Sequence, residues 1–330
     1  MELDRAGPGL LVDAIAKGGD PQVLAVLRVL AQLDADVLLL TGVDYDRGLV
    51  AGRLLADRLH LLGAEYPHLF ALRPNTGMAT GLDLDGDGQR GGPGDAQGWG
   101  LFSGQGGMLL LSRLAVDQDA VRDFSGFLWA NLPGALIPEG MEAEALALQR
   151  LPTTGHWEVP LILPEGGRLR LLAWHATPPV FDGPEDRNGR RNHDEAAFWL
   201  ALLDGRLPLP PPEPPFVLIG DSNLDPMDGD GRPQAIRALL AHPALNDVTP
   251  RGMAAPEPQH KGDPALDTAV FAATGGLRVD LVVPGRGLPV TGAGVLRPAE
   301  TDPLWPDLAA ASRHFPVWVA VNPGPAAANP

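Results

Sequence analysis

The sequence predicts an α/β protein in which two mixed β-sheets pack together and helices cover their outer faces. Strand-length apolar runs and helical spacings intermix along the 330 residues, without the regular repeat of a doubly wound sheet. Neighbouring strands join through short turns, as in His156–Leu163 and Leu169–His175. Hydrophobic residues make up 45% of the chain, which is ample for a large core. We expect one domain over residues 1–321 and a flexible Pro/Ala-rich tail over residues 322–330.

Apolar spacing in the first half of the chain predicts two helices around a buried strand. The helices are expected over Pro21–Leu33 and Asp44–Leu62, and the strand over Asp36–Thr41. Residues 74–107 form a long Gly/Asp-rich loop, and loops of this length are typically functional or organised by a metal. A short strand and a helix or helical turn complete this half, over Met108–Leu111 and Asp119–Trp129.

The second half continues from the hairpin into a helix predicted over Asn192–Leu203. Asn192 is expected to be its N-cap, with acidic residues in the first turn. The proline run Pro208–Pro215 leads stiffly into the buried strand Phe216–Ile219. One helix and two strands close the prediction, over Pro233–Leu240, Leu277–Val283 and Pro316–Val321.

Composition limits the classes of partner. The formal net charge of -16 disfavours tight binding of duplex DNA, since counterion release needs a basic surface. A small phosphoester is the more compatible ligand. The absence of cysteine excludes disulfides, thiolate zinc sites and a cysteine nucleophile. No apolar stretch approaches the roughly 20 residues that span a bilayer.

The compartment stays open. Met1–Arg5 is acidic and lacks the apolar segment of a signal peptide. A periplasmic or secreted location remains an alternative if the N-terminus is truncated.

The most informative motif is Gly220-Asp221-Ser222-Asn223, directly after the strand Phe216–Ile219. Residues two apart at a strand end point to the same side, so Asp221 and Asn223 are predicted to face one site. A carboxylate and a carboxamide placed this way suit a hard cation, or a water attacking a phosphate. The alternative is an ordinary turn, because the same residues favour turns.

Three further polar groups complete a pattern: His175 at a strand end, Asp280 opening a strand, and Ser312-Arg313-His314 before the last strand. Their order and spacing resemble the endonuclease/exonuclease/phosphatase superfamily of deoxyribonuclease I-like phosphoesterases. The stretch from His175 to Asn192 resembles a bacterial subgroup of it. So do three shorter segments, Pro74–Gly77, Gly104–Gln105 and Gly262–Thr268.

The resemblance implies a four-layer α/β sandwich with its site at one edge of the two sheets, and metal-dependent hydrolysis of a phosphoester. Asp221 would be the base or orient the water, and Asn223 would steady it. His175 and His314 would contact the phosphate, and Asp280 would hold His314. A histidine paired with a carboxylate is favoured as imidazolium, which stabilises phosphorane-like charge.

The same resemblance predicts a weak or lost Mg²⁺ site, because three metal-side groups of the family are missing. The family's metal-binding Glu falls on Gly42, the acidic residue of its last motif is Arg313, and the first strand with its Asn is absent. Asp44, on the same side as Gly42 if the strand continues, is the candidate replacement ligand. Arg313 binding the phosphate itself is the less favoured alternative.

Other candidate sites carry open alternatives. Asp83, Asp85 and Asp87 precede a turn glycine and either wrap a Ca²⁺ ion or form a solvated acidic loop. Arg187 and Arg191 either meet the phosphate near His175 or pair with nearby acidic residues. Gln105 is expected on a substrate-facing loop.

Two functions follow from these predictions. The favoured one is a phosphoester hydrolase whose metal side is degraded. The alternative is a non-catalytic phosphate- or calcium-binding module on the same fold.

Overall fold

A computed structural model describes residues 1–254 and 257–324, so most of the predicted tail, residues 325–330, lies outside the described residues. In these ranges the helices are α1 Leu10–Lys17, α2 Pro21–Leu33, α3 Val50–Leu61, α4 Ala143–Leu148, α5 Arg187–Leu203, α6 Gln234–Leu240 and α7 Trp305–Ala311. The strands are β1 Val37–Val43, β2 His68–Phe70, β3 Gly107–Ser112, β4 Arg122–Asp123, β5 Gly155–Ile162, β6 Arg168–His175, β7 Phe216–Asp221, β8 Ala269–Phe271, β9 Gly275–Leu277, β10 Asp280–Pro284, β11 Val290–Val295 and β12 Val317–Val321.

The strands form two main sheets. The first has the order β1-β3-β2 and the second β10-β7-β6-β5-β4, while β11–β12 and β8–β9 are separate pairs. Within the second sheet β6 and β7 run parallel and every other neighbouring pair is antiparallel. The second sheet is therefore mixed, as predicted.

Alternation along the strands separates three apolar layers. In β3, Leu109 and Leu111 face the core under α1, α2, α3 and α7, whereas Met108 and Leu110 face the second sheet. In β7, Val217 faces the first sheet, and alternate residues pack under α5 and α6. A period of two explains both patterns, because each strand is buried on both faces. The predicted four-layer sandwich is confirmed.

Four element predictions were wrong. Helix α3 begins at Val50 and not at Asp44, because residues 44–49 form a loop in which Asp46 Oδ1 accepts from the amide of Val50 at 2.7 Å. Residues 119–129 are not a helix: Arg122 and Asp123 pair with β5 as an edge strand between short 3₁₀ turns. The segment predicted as one strand over Leu277–Val283 divides into β9 and β10. Helix α5 begins at Arg187 and not at Asn192, which lies fully buried inside the helix. The first turn of α5 faces backbone carbonyls of neighbouring loops, so it shows no apolar periodicity.

The N-terminal segment lies beside β1. Leu3 forms a parallel bridge with Val43, and its amide donates to the carbonyl of Gly42 at 2.7 Å. Leu3 is fully buried. Residues 1–4 therefore take a place at the edge of the first sheet, where the sequence predicted that a strand was missing. Among the described residues, no helix is both long enough and apolar enough to cross a membrane.

Candidate active site at the sheet edge

Strand pairing places three of the predicted site residues in one row. His175 ends β6 and lies opposite Asp221, the last residue of the parallel neighbour β7. Asp221 in turn lies opposite Asp280, the first residue of β10. Paired residues of adjacent strands share a face. In this row that face is the one between the two sheets, because Ala173 and Val217, on the same sides of β6 and β7, are buried there.

His314 joins this row from the segment before β12. Its Nδ1 lies 2.9 Å from Asp280 Oδ2 and 4.0 Å from Asp221 Oδ2. Burial opposes the imidazolium, but the attraction and hydrogen bond of Asp280 outweigh it and raise the pKa of His314 to about 9. His314 is therefore a fixed cation at neutral pH.

Asp221 and His175 are both shifted by burial. Burial, then repulsion from Asp280, raises the pKa of Asp221 to about 7. Burial lowers the pKa of His175 to about 3, so its ring is neutral. Its Nε2 lies 3.6 Å from Asp221 Oδ2. Because the ring is neutral, this contact is dipolar and not an ion pair. The edge thus combines a fixed cation, a neutral imidazole and a carboxylate that titrates near neutrality.

Asn223 follows Asp221 in a left-handed conformation, with φ of 47°. Its amide N–H donates to Asp221 Oδ1 at 2.8 Å, and its Nδ2 donates to the carbonyl of Ala176 at 2.9 Å. These bonds fix the turn after β7 against the end of β6. The motif Gly220–Asn223 was predicted to be either an ordinary turn or part of a site. Both descriptions apply to the same residues, since the turn itself presents Asp221 to the edge.

On the first-sheet side the edge has no acidic side chain at position 42. Gly42 has φ of 68° and lies at an irregularity in the β1–β3 pairing. A Cβ there would lie 3.1 Å from the amide nitrogen of Glu2. Arg313 donates to the carboxylate of Glu2 through Nε at 2.6 Å and through its amide at 2.7 Å. Although burial opposes ionisation, these hydrogen bonds lower the pKa of Glu2 to about 2.

Asp44 and Gln105 both fasten the N-terminal segment. Asp44 Oδ2 accepts from the amide of Arg5 at 2.8 Å, and its Oδ1 accepts from Gly106 at 3.0 Å. Burial raises the pKa of Asp44 to about 6 despite these bonds. Gln105 Nε2 donates to Asp4 Oδ2 and to the carbonyl of Arg5, each at 3.2 Å. Both side chains are buried, and these bonds give each of them a structural role.

The two arginines predicted for substrate binding are engaged with backbone and amide oxygens. The buried guanidinium of Arg191 donates to the carbonyls of Leu151, Gln97 and Arg150 at 2.6–2.9 Å. Arg187 donates to the carbonyl of Leu84 at 3.1 Å and to Gln149 Oε1 at 2.6 Å. Neither pairs with the acidic residues that the sequence offered as alternative partners. In this arrangement they brace the long loop against α5, and they form no part of the row at the sheet edge.

The acidic loop brings its three carboxylates together. One oxygen from each of Asp83, Asp85 and Asp87 lies within 4.8 Å of the others. Asp83 accepts from the amides of Gly86 at 2.8 Å and Gly88 at 2.9 Å. The loop is therefore organised by its own backbone, and calcium binding by it stays a prediction.

The model of the Endonuclease/Exonuclease/phosphatase family matches residues 14–314. The chain belongs to this family. The predicted resemblance is therefore confirmed.

Solved structures of family members share this fold at low identity. An endonuclease/exonuclease/phosphatase from Beutenbergia cavernae DSM 12333 is 16% identical with a TM-score of 0.56, over 92% of this chain and 66% of that one. The chain thus spans just under two thirds of that protein's length. A family protein from Leptotrichia buccalis C-1013-b is 15% identical with a TM-score of 0.50, over 92% of both chains. Among curated proteins, no sequence matches this chain significantly.

In this endonuclease/exonuclease/phosphatase family member, sequence reasoning missed two residues that support the edge. Asn192 Nδ2 donates to the carbonyls of Thr177 at 2.6 Å and Ser222 at 2.8 Å, joining the loops that follow β6 and β7. Thr268 Oγ1 accepts from the amides of Val279 at 3.0 Å and Asp280 at 2.8 Å. In the sequence, Asn192 lies in a polar stretch before an apolar helix. That position fits an N-cap as well as it fits a buried residue that joins two loops. Thr268 gave no signal by itself.

Proposed function

We propose that the protein hydrolyses a small phosphoester at the edge formed by His175, Asp221, Asp280 and His314. The observation that carries the proposal is the row of Asp221 and Asp280 with His314 bound to Asp280 at 2.9 Å. Family membership supports the reaction class, but fold by itself does not fix function. The net charge of -16 favours a small substrate over duplex DNA.

In this proposal the steps of hydrolysis are divided among the side chains of the edge. Asp221, whose pKa of about 7 lies near the working pH, takes the proton of the attacking water. Asn223 orients that water. His314 holds its positive charge through Asp280 and places Nε2 toward a phosphoryl oxygen, where charge develops. His175 donates to the phosphate as a neutral imidazole.

The donor set fits a hard cation in part. Oxygen atoms of Asp221, Asp280 and Asn223 would hold Mg²⁺, since carboxylates and amide carbonyls are ligands it accepts. The ion would neutralise charge on the phosphate when bound. Gly42 offers no ligand, and the oxygens of Asp44 are engaged with backbone amides. We therefore propose weak Mg²⁺ binding and low Mg²⁺-dependent turnover.

A non-catalytic phosphoester-binding module is the second candidate. Two features favour it: the resemblance implies that Gly42 replaces the family's metal-binding Glu, and Arg313 is paired with Glu2 beside the same edge. Three like charges in the Asp83–Asp87 loop would add a Ca²⁺ site to such a module.

Hydrolysis of bis-p-nitrophenyl phosphate with Mg²⁺, Mn²⁺ and Ca²⁺ in turn separates the two candidates. Turnover that Asp221→Ala abolishes supports the hydrolase. Calorimetric binding of the phosphodiester without turnover supports the binding module. Asp117→Ala is the matched control, because Asp117 pairs with Arg168 at the opposite end of β6.

Restoring the family's residues is a further test, but the structure limits it. Gly42→Glu is strained in the left-handed conformation and requires the backbone of Glu2 to shift. Arg313→Asp removes an exposed guanidinium that pairs with Glu2 and lies over the Phe271 ring. We expect Arg313→Asp alone to strengthen Mg²⁺ binding. Unchanged affinity would mean that position 313 does not face the metal.

A further inference from the structure

We propose that Glu257, His260 and Asp267 form a second site, separate from the sheet edge, that binds a divalent transition-metal ion such as Zn²⁺. The three residues each offer one donor atom, and these atoms lie within 4.8 Å of one another. Donors about 2.1 Å from a tetrahedral ion lie about 3.4 Å apart, so closure requires a movement on the order of 1 Å. An imidazole with two carboxylates suits Zn²⁺ better than Ca²⁺.

The buried carboxylate of Asp267 supports a ligand at this cluster. Its side chain is only 6% exposed, and Oδ2 has no hydrogen-bond partner in the part of the chain that the structure describes. A buried carboxyl oxygen without a partner is costly, and native proteins rarely leave one. A metal ion would satisfy it.

The backbone leaves room where the two carboxylates meet. A Cβ on Gly276 would overlap Asp267 Oδ2 and lie 2.9 Å from Glu257 Oε1. A Cβ on Gly275 would overlap Glu257 Oε2 and lie 3.1 Å from His260 Nε2. The side chains therefore converge on a pair of glycines, and any larger residue would fill the cradle.

Two of the donors have other contacts beside the cluster. His260 Nε2 lies 2.8 Å from the carbonyl of Thr274 and 3.4 Å from Glu257 Oε2, so metal binding through Nε2 would replace the Thr274 contact. The amide of Gly276 donates to the carboxylate of Glu257 at 3.2 Å.

Arg297 is the competing partner for Asp267. Its Nη1 lies 4.0 Å from Asp267 Oδ2, beyond hydrogen-bond distance, and has no partner among the described residues. Its guanidinium instead lies over the Phe315 ring, 5.1 Å from the centroid. If the Arg297 side chain moved into contact with Asp267, an ion pair would take the place of the metal. Zinc binding distinguishes the ion pair from the metal site.

A metal ion at this cluster would stabilise the candidate active site through Thr268, which contacts the backbone next to both Asp280 and His314. Asp267 directly precedes Thr268, whose hydroxyl holds the amides of Val279 and Asp280. The carbonyl of Thr268 accepts from the amide of Phe315 at 2.6 Å, next to His314. The ion would thus hold the loop of residues 257–267 together directly before Thr268 and tighten the support of Asp280 and His314.

Zinc calorimetry on the full chain, freed of metal by EDTA and dialysed, tests the proposal. We expect a site that Glu257→Gln and Asp267→Asn each weaken by at least about tenfold, with Zn²⁺ raising the melting temperature of the wild type but not of these two variants. Asp263→Asn, an exposed carboxylate of the same loop that pairs with Arg251, is the control and should bind as the wild type does.

Two results would overturn the proposal. One is the absence of Zn²⁺ binding, which would leave Arg297 as the partner of Asp267. The other is binding that Asp280→Asn abolishes and Glu257→Gln leaves intact, which would place the ion at the sheet edge. Glu257 is partly exposed, so Glu257→Gln keeps the test informative if Asp267→Asn fails to fold.

Discussion

At the residue scale, the candidate site separates three ionisable groups that would titrate within a few pH units of one another in water. The pKa of His314 rises to about 9, that of Asp221 rises to about 7, and that of His175 falls to about 3. Burial acts on all three, and the position of Asp280 decides which one carries positive charge. Groups whose pKa values are pushed apart in one cleft are the usual mark of acid–base work.

This separation predicts a bell-shaped pH dependence of kcat/KM. Activity should rise through about pH 7, as Asp221 loses its proton, and fall above about pH 9, as His314 loses its charge. Asp280→Asn should move the alkaline limb to lower pH, because the attraction that raises the pKa of His314 is gone. NMR titration of the His314 ring checks the assignment. A ring that titrates near 6.5 in the wild type would contradict it.

The same shift makes a stability prediction with a defined sign. The folded pKa of His314 lies above its unfolded value of about 6.5. Its stabilising contribution is therefore complete below pH 6.5 and is lost as the pH rises through about 9. Urea unfolding of the wild type and His314→Gln between pH 6 and 10 should converge at the alkaline end. A constant difference would argue that His314 contributes by packing alone.

At the element scale, predictions from the sequence were more reliable for strands that are buried on both faces than for the ends of helices. Strands β3, β6 and β7 are apolar on both faces, so they can be recognised in the sequence whichever elements pack against them. The start of helix α5, five residues before Asn192, was missed because its first turn contacts carbonyls, and polar contacts leave no apolar period. The residues of the sheet-edge row could be predicted because each follows or opens such a strand. The roles of Arg187 and Arg191 could not be predicted, since their partners are backbone carbonyls and Gln149 Oε1 on segments distant in the sequence.

Asn192 tests how α5 supports the site. Asn192→Ala leaves the carbonyls of Thr177 and Ser222 without their buried donor, which should cost about 1–3 kcal/mol in the free energy of unfolding. Arg190→Ala is the matched control on the same helix, because Arg190 donates only to the exposed carbonyl of Glu185, at 3.0 Å. Denaturant unfolding measures both. Equal losses would mean that the Asn192 bonds contribute little to joining the loops.

At the scale of the whole molecule, the sandwich buries a histidine that must stay neutral. His156 is fully buried among Trp174, Phe198 and Trp199, with its ring stacked on Trp199 at 5.1 Å, and neither ring nitrogen has a partner among the described residues. Burial lowers its pKa to about 3. Because the unfolded chain binds a proton near pH 6.5, the folded state loses stability as the pH falls from 6.5 toward 3.

His156→Phe should therefore reduce the acid sensitivity of the whole fold. The slope of the unfolding free energy between pH 6 and 4 should fall by at most about 1.4 kcal/mol per pH unit, the value for one proton. Comparing slopes cancels any constant cost of fitting the larger ring. Parallel curves for the two proteins would show that His156 is not the group that titrates.

The rate of bis-p-nitrophenyl phosphate hydrolysis with Mn²⁺ at pH 8 tests the central claim most directly, when the wild type is compared with Asp221→Asn and Asp117→Asn. Asp221 lies in the row at the sheet edge, and Asp117 pairs with Arg168 at the far end of β6. We predict measurable turnover that falls by about 10²–10⁴-fold in Asp221→Asn and is unchanged in Asp117→Asn. Turnover that survives Asp221→Asn, or no turnover in the wild type, would contradict the claim that this edge hydrolyses phosphoesters.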